Sequence, residues 1–187
     1  MIIFIHGFGS DGFGSKAKML RQYCATHNIA FIAPSLSTIP DLAISTLEEL
    51  IQQWQRYEEV KLVGSSLGGF YAMYLADKYN LPVVLINPSM APGFTLQKRV
   101  GQAVNFHDFS SYEWNEAHVQ SLEKYQCSFS GQRCLLLLQT GDDVLDYKLA
   151  VDKLPDAHHV IEQGGNHGFE GFERYLSNTI THLNFAP

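Results

Sequence analysis

The sequence predicts an α/β fold with a mostly parallel central sheet and helices on both faces, and three observations predict it. Short, continuously apolar runs at Ile2 to Ile5, Ile29 to Ala33, Pro82 to Ile86 and Cys134 to Leu138 read as strands with both faces buried. Segments with apolar residues at helical spacing separate them, as at Leu47, Leu50, Ile51 and Trp54, so strand and helix alternate along the chain. The third observation is Gly64-Ser65-Ser66-Leu67-Gly68, a serine between two glycines at G-x-S-x-G spacing directly after the apolar pair Leu62-Val63. That pattern needs a strand, a sharp turn and a helix in succession, because a Cβ two residues either side of the serine would strike neighbouring backbone.

The first strand, Ile2 to Ile5, breaks at His6-Gly7-Phe8-Gly9-Ser10, after which Ser15 is placed to cap a helix that turns Met19, Leu20, Tyr23 and Cys24 inward. A second strand over Ile29 to Ala33 stops at Pro34, and the amphipathic helix carrying Leu47 to Trp54 follows. The serine turn comes next, then a helix with Leu67, Phe70, Tyr71, Tyr74 and Leu75 at helical spacing, then a strand closing at Asn87-Pro88. From Met90 to Arg133 the rhythm changes: Phe94, Phe106, Phe109, Tyr112 and Trp114 are scattered among polar residues with no clear strand. A small helical lid over about 90–132 fits this stretch, and so does a pair of connecting helices whose aromatics join the main core. The sheet resumes at Cys134 and ends at Thr140-Gly141-Asp142-Asp143, with Asp146 as the cap of a helix containing Leu149, Ala150 and Leu154. A short strand at His159 to Ile161 leads to Gly164-Gly165-Asn166-His167-Gly168 and a terminal helix carrying Phe172, Tyr175, Leu176, Ile180 and Leu183.

With 187 residues and no internal repeat or linker, the chain is expected to form one domain over 1–187, large enough to bury about 70% of its unfolded surface. A formal net charge of -6 and the absence of a basic block argue against nucleic acid as a partner. The three cysteines, Cys24, Cys127 and Cys134, are odd in number and lack C-x-x-C spacing, which fits a reducing compartment. The apolar amino terminus is too short for a signal peptide, and no run approaches the ~18 residues of a membrane span. A cytoplasmic protein with no membrane partner is the expectation.

Catalytic groups of open α/β sheets gather at the carboxyl ends of the strands. Ser66, the Asp142-Asp143 pair and His167 all follow strands, in the chain order Ser, Asp, His of the α/β-hydrolase arrangement. A serine hydroxyl is a weak nucleophile until an imidazole takes its proton, and a carboxylate must hold that imidazole in one tautomer. Among eight histidines His167 is favoured, because its glycine-rich loop lets the side chain reach across the strand ends. His158 and His159 start a strand, the wrong end for the site, and His27, His107, His118 and His182 fall in helical or lid segments. For the acid, the upstream spacing G-x-x-D from Gly141 lands on Val144, whereas Asp142-Asp143-Val144-Leu145-Asp146 resembles a D-x-V-V-P loop end and selects Asp142 over Asp143. Two backbone N–H groups, of Phe8 and Leu67, are expected to receive an oxyanion, with His6 tying the first loop by hydrogen bonds.

HGFGS at His6, GSSLGGFYA at Gly64, LINPS at Leu85, LLQTGDDVLDY at Leu137 and GGNHGFEGFE at Gly164 together resemble the YqiA-type esterases, small bacterial α/β-hydrolases. The resemblance covers nearly the whole chain and is weakest over 91–130. It implies a serine esterase acting on small-molecule, short-chain acyl esters or acyl thioesters, with Ser66, Asp142 and His167 as triad and no cofactor or metal. A peptidase, lactonase or acyltransferase could use the same triad, and a non-catalytic ligand-binding protein is the alternative of another class. Metal-dependent hydrolysis has no H-E-x-x-H or similar spacing to support it.

Overall fold

The computed structural model describes residues 1–184. In chain order the elements are β1 (Ile2–Ile5), α1 (Ser15–Thr26), β2 (Phe31–Ile32), α2 (Pro40–Trp54), β3 (Lys61–Ser65), α3 (Leu67–Tyr79) and β4 (Val83–Ile86). There follow α4 (Pro92–Gln97), β5 (Gly101–Val104), β6 (Ser111–Trp114), α5 (Glu116–Ser121), β7 (Cys134–Gln139), α6 (Tyr147–Lys153), β8 (His158–Glu162) and α7 (Leu176–Asn184). Six strands form one sheet in the order β2-β1-β3-β4-β7-β8, and every pairing in it is parallel.

The continuous apolarity of the strands is explained by what covers them. Successive side chains point to opposite faces, so β1 sends Ile3 and Ile5 to one side and Ile2 and Phe4 to the other. The first side is closed by Ala43, Ile44 and Leu47 of α2 and by Phe70, Met73 and Leu75 of α3. The second is closed by Ala17, Leu20 and Cys24 of α1 and by Ile180 and Leu183 of α7. The same division splits Val83 and Leu85 from Val84 and Ile86 on β4, and Leu136 and Leu138 from Leu135 and Leu137 on β7.

Three local expectations are corrected. Ser15 does not cap α1: it is the first helical residue, Gly14 occupies the cap position, and no side chain bonds the free N–H groups there. The second strand is only Phe31–Ile32, an edge strand that pairs with β1 through two residues. The stretch between β4 and β7 contains strands after all, an antiparallel hairpin of β5 and β6 between α4 and α5. Its aromatics divide: Trp114 is fully buried in the core, whereas Phe94, Phe106 and Phe109 are exposed. Asp146, by contrast, caps α6 as its sequence position predicts, accepting from the Lys148 N–H at 3.0 Å.

Sheet order reverses direction between β1 and β3, and such a switch point splays the loops after the two strands apart and opens a crevice. The Gly7–Gly9 loop and the Ser66 turn are those two loops. The turn is possible because α3 packs directly on the sheet. A Cβ at Gly68 would lie on the carbonyl oxygen of Ile5, and one at Gly64 would meet the Gly68 carbonyl and, at 2.7 Å, the Ala72 Cβ.

Backbone cannot yield as a flexible side chain can, so Gly68→Ala should destabilise the protein by about 2 kcal/mol or more, despite alanine's better helix propensity. Gly93→Ala, in α4 with nothing within 4 Å of the new methyl, should stay within about 1 kcal/mol of the parent. Urea unfolding of both variants measures the contrast.

Candidate active site

Ser66 stands between β3 and α3 with φ 56° and ψ -121°, a left-handed backbone that few residues other than glycine adopt. Hydrogen bonds on both sides hold it there. Its N–H donates to Ile86 O at 3.1 Å, and its carbonyl accepts from the N–H groups of Gly69 and Ser89, each at 2.9 Å. Such a conformation costs about 1–3 kcal/mol and persists because the surrounding bonds over-determine it.

Three side chains that the sequence singled out converge. His167 Nε2 lies 3.0 Å from Ser66 Oγ, and His167 Nδ1 lies 2.8 Å from Asp142 Oδ2. Asp142 is almost fully buried, with 2% of its side chain exposed, and its other oxygen accepts from the N–H groups of Val144 at 2.9 Å and Leu145 at 2.8 Å. Burial opposes the Asp142 charge, but the hydrogen bonds from His167, Leu145 and Val144 outweigh it and hold the carboxyl below its ordinary value. An ionised Asp142 accepts a hydrogen bond from Nδ1–H, which leaves the Nε2 lone pair directed at the serine hydroxyl. Asp143 is exposed and is not brought to the cluster.

His6 ties the first loop as expected. Its Nδ1–H donates to Gly7 O at 2.9 Å and its Nε2 accepts from the Leu36 N–H at 2.9 Å. Burial lowers its pKa, in keeping with a neutral ring that accepts at one nitrogen. The Phe8 N–H has no protein acceptor among the described residues, and Leu67 opens α3, where the first N–H groups have no intrahelical partner. Phe8, Ser66, Leu67 and His167 line one cavity of about 720 Å³. A second cavity of about 190 Å³ also reaches Ser66 and His167. Among the described residues no three His, Cys, Asp or Glu side chains group as metal ligands. No helix among them is long and apolar enough to cross a membrane.

Sequence reasoning missed the groups that position His167. Asn87, buried and at φ 39°, accepts the Gln139 N–H on Oδ1 at 3.0 Å and donates through Nδ2 to the carbonyls of Asn166 at 3.1 Å and His167 at 3.3 Å. Gln139, also buried, accepts on Oε1 from the N–H groups of Asn166 and Glu170 and donates through Nε2 to Glu170 O and Glu162 Oε2. The two amides make five hydrogen bonds to the backbone of Asn166, His167 and Glu170, which anchors the loop that carries the imidazole. Lys16 of α1 braces the same loop by donating to Gly168 O at 2.7 Å. The motif LINPS contained the one available sign, an asparagine at a strand end.

The model of a family described as "Uncharacterised protein family (UPF0227)" matches residues 1–184. A UPF0227 protein of Vibrio cholerae is 24% identical over 183 residues, covering 94% of this chain and 95% of its own. One of Serratia proteamaculans is 24% identical over 180 residues, covering 94% of each. Among solved structures, tomato methylketone synthase I complexed with β-ketoheptanoate aligns over 100% of this chain and 97% of its own, with TM-score 0.76 and 11% identity. Est1E of Butyrivibrio proteoclasticus with ferulic acid bound aligns over 98% and 86%, with TM-score 0.73 and 12% identity. Mouse alpha/beta hydrolase domain-containing protein 10 gives 98% and 88%, TM-score 0.73 and 21% identity.

Asn87→Ala strands the buried Gln139 N–H and two loop carbonyls, and it should cost about 3 kcal/mol of stability by urea unfolding. Burial pushes the Lys16 ammonium down to about 8, below the ~10.4 of an unfolded chain. Between these values the unfolded chain binds more protons, so this residue's contribution to stability rises with pH. Lys16→Met should therefore gain most over the parent below pH ~8, and its advantage should shrink as pH approaches ~10.4 in paired unfolding curves.

Proposed function

The chain belongs to the UPF0227 family, and from the geometry of its site we propose that it is a serine hydrolase that cleaves carboxylic esters through Ser66, His167 and Asp142. The observation that carries this reading is the unbroken relay from the buried Asp142 carboxylate through both nitrogens of His167 to Ser66 Oγ. His167 Nε2 takes the hydroxyl proton as Oγ attacks the ester carbonyl, a general-base contribution of about 100- to 10,000-fold. The carbonyl oxygen becomes an oxyanion, and the N–H groups of Phe8 and Leu67 receive it, each donor contributing about 3 kcal/mol. Asp142 stabilises the imidazolium without taking its proton. Collapse breaks the ester bond, the imidazolium protonates the departing alcohol, and an acyl group remains on Ser66. A water molecule then repeats the cycle, giving its proton to His167 and its hydroxide to the acyl carbon, and Ser66 Oγ leaves with the proton returned.

The substrate class is a small-molecule ester with a short acyl chain, or the corresponding thioester, as in the YqiA-type esterases that the motifs resemble. The larger cavity supports it: about 720 Å³, walled mainly by apolar side chains and open to Ser66. The likeness to folds that hold ferulic acid and β-ketoheptanoate, both small carboxylic acids, fits a cavity of that kind. The segment between β4 and β7 serves as a lid in this reading, since Phe94, Leu96, Ala103 and Phe106 supply much of the cavity wall.

A fluorophosphonate probe should label the folded protein stoichiometrically at Ser66, located by peptide mass spectrometry, and labelling should disappear in His167→Ala. An unlabelled, well-folded protein would favour a ligand-binding role instead. With p-nitrophenyl butyrate as substrate, Asp142→Asn should lower kcat by about 10,000-fold by imposing the wrong tautomer, while Asp143→Asn stays within about twofold.

A further inference from the structure

Ser66 opens onto two cavities of different chemistry. The larger, about 720 Å³, has apolar walls that include Phe8, Leu67, Leu96 and Val144. Among the described residues, the charged side chains that line it are Lys98 and Arg99, and no carboxylate lines it. Both cations are exposed at the turn from α4 to β5, and neither has an ion-pair partner among the described residues. The Lys98 ammonium lies 5.3 Å from the ring centroid of Phe94, which lines the same cavity. In a chain with 19 acidic and 13 basic residues, two unopposed cations at one cavity run against the composition.

The inner end has a polar feature of its own. Ser89 is 3% exposed and is one of the residues lining the cavity, its N–H holds the Ser66 carbonyl, and its buried hydroxyl has no partner among the described residues. A buried hydroxyl without a partner is costly. The smaller cavity offers no equivalent cation, because Lys16 donates to Gly168 O and Asp11 lines the same space.

We propose that the ester turned over at Ser66 carries an anionic group, a carboxylate or phosphate, that sits against Lys98 and Arg99 while an apolar body fills the cavity between. This rests on the serine-hydrolase reading above. It adds a requirement that the triad itself does not impose: a negative charge on the substrate, of the same sign as the protein's net charge of -6, which the two cations attract towards the cavity.

Two pairs of esters test it, one with the anion on the acyl side and one on the alcohol side. The first is p-nitrophenyl glutarate monoester against p-nitrophenyl pentanoate; the second is p-butyryloxyphenyl phosphate against phenyl butyrate, each corrected for its uncatalysed rate. The anionic-to-neutral ratio of kcat/KM should fall about tenfold for at least one pair in the double variant Lys98→Glu/Arg99→Glu, since each exposed ion pair is worth up to about fivefold. The responding pair shows which side carries the charge. In the parent protein that ratio should also fall as salt rises, because the interaction is screened. Ratios that stay the same in the double variant for both pairs, with turnover and Ser66 labelling intact, overturn the proposal alone. Absence of both turnover and labelling overturns the serine-hydrolase reading, and this proposal with it.

Discussion

Helix α3 lies against β1 and β3 with backbone touching backbone at Gly64 and Gly68, and the groups around Ser66 take their positions from that contact. The close approach leaves no room for a gradual turn, so the chain reverses within one residue at positive φ. Four hydrogen bonds with neighbouring backbone hold the strained residue, and its side chain is left at the carboxyl edge of the sheet, with the first N–H groups of α3 beside it. The sheet order places the loop after β1 next to that turn, which brings Phe8 to the same cavity. A helix packed one side chain further from the sheet would disperse these groups.

The histidine is positioned by different means. Its loop has glycines at positive φ and no regular structure, so side-chain amides must supply the hydrogen bonds that a helix or strand would provide. Asn87 and Gln139 do this from the ends of β4 and β7, two strands whose register the rest of the sheet sets. Rigidity passes from the buried sheet to an irregular loop through two amide groups with matched donors and acceptors. Because both are buried, the loss of either leaves groups that water cannot reach.

The insertion between β4 and β7 supports the opposite side of the site. Fully buried Trp114 donates to Leu96 O at 3.1 Å and meets the Phe8 ring edge-on at 5.0 Å, while the Phe106 N–H of the hairpin donates to Gly9 O at 2.7 Å. The loop that carries the Phe8 N–H is therefore held from outside the sheet as well as from within. One segment forms much of the cavity wall, contributes its two cations and braces that loop, so substitutions there are coupled to the geometry around Ser66.

The sequence by itself determined the alternation of strand and helix, the turn at Ser66, the cap at Asp146 and the placing of Ser66, His167 and the Asp142-Asp143 pair at strand ends, because each leaves a local mark. Doubly buried strands must be apolar throughout, a tight turn needs its glycines, and a group at a strand end follows an apolar run. What only tertiary structure decided has no local mark. The β5–β6 hairpin is short and largely exposed, so its residues show neither continuous apolarity nor clean alternation. The choice of Asp142 over Asp143 depends on which carboxylate faces His167, and adjacent residues of one type do not encode that direction. Asn87, Gln139 and Ser89 are polar residues in a sequence with many such residues, and their roles come from partners 23 to 80 positions away or from the cavity beside them. Periodicity records which way a residue faces, whereas the contacts made by a buried polar group depend on how distant strands are brought together.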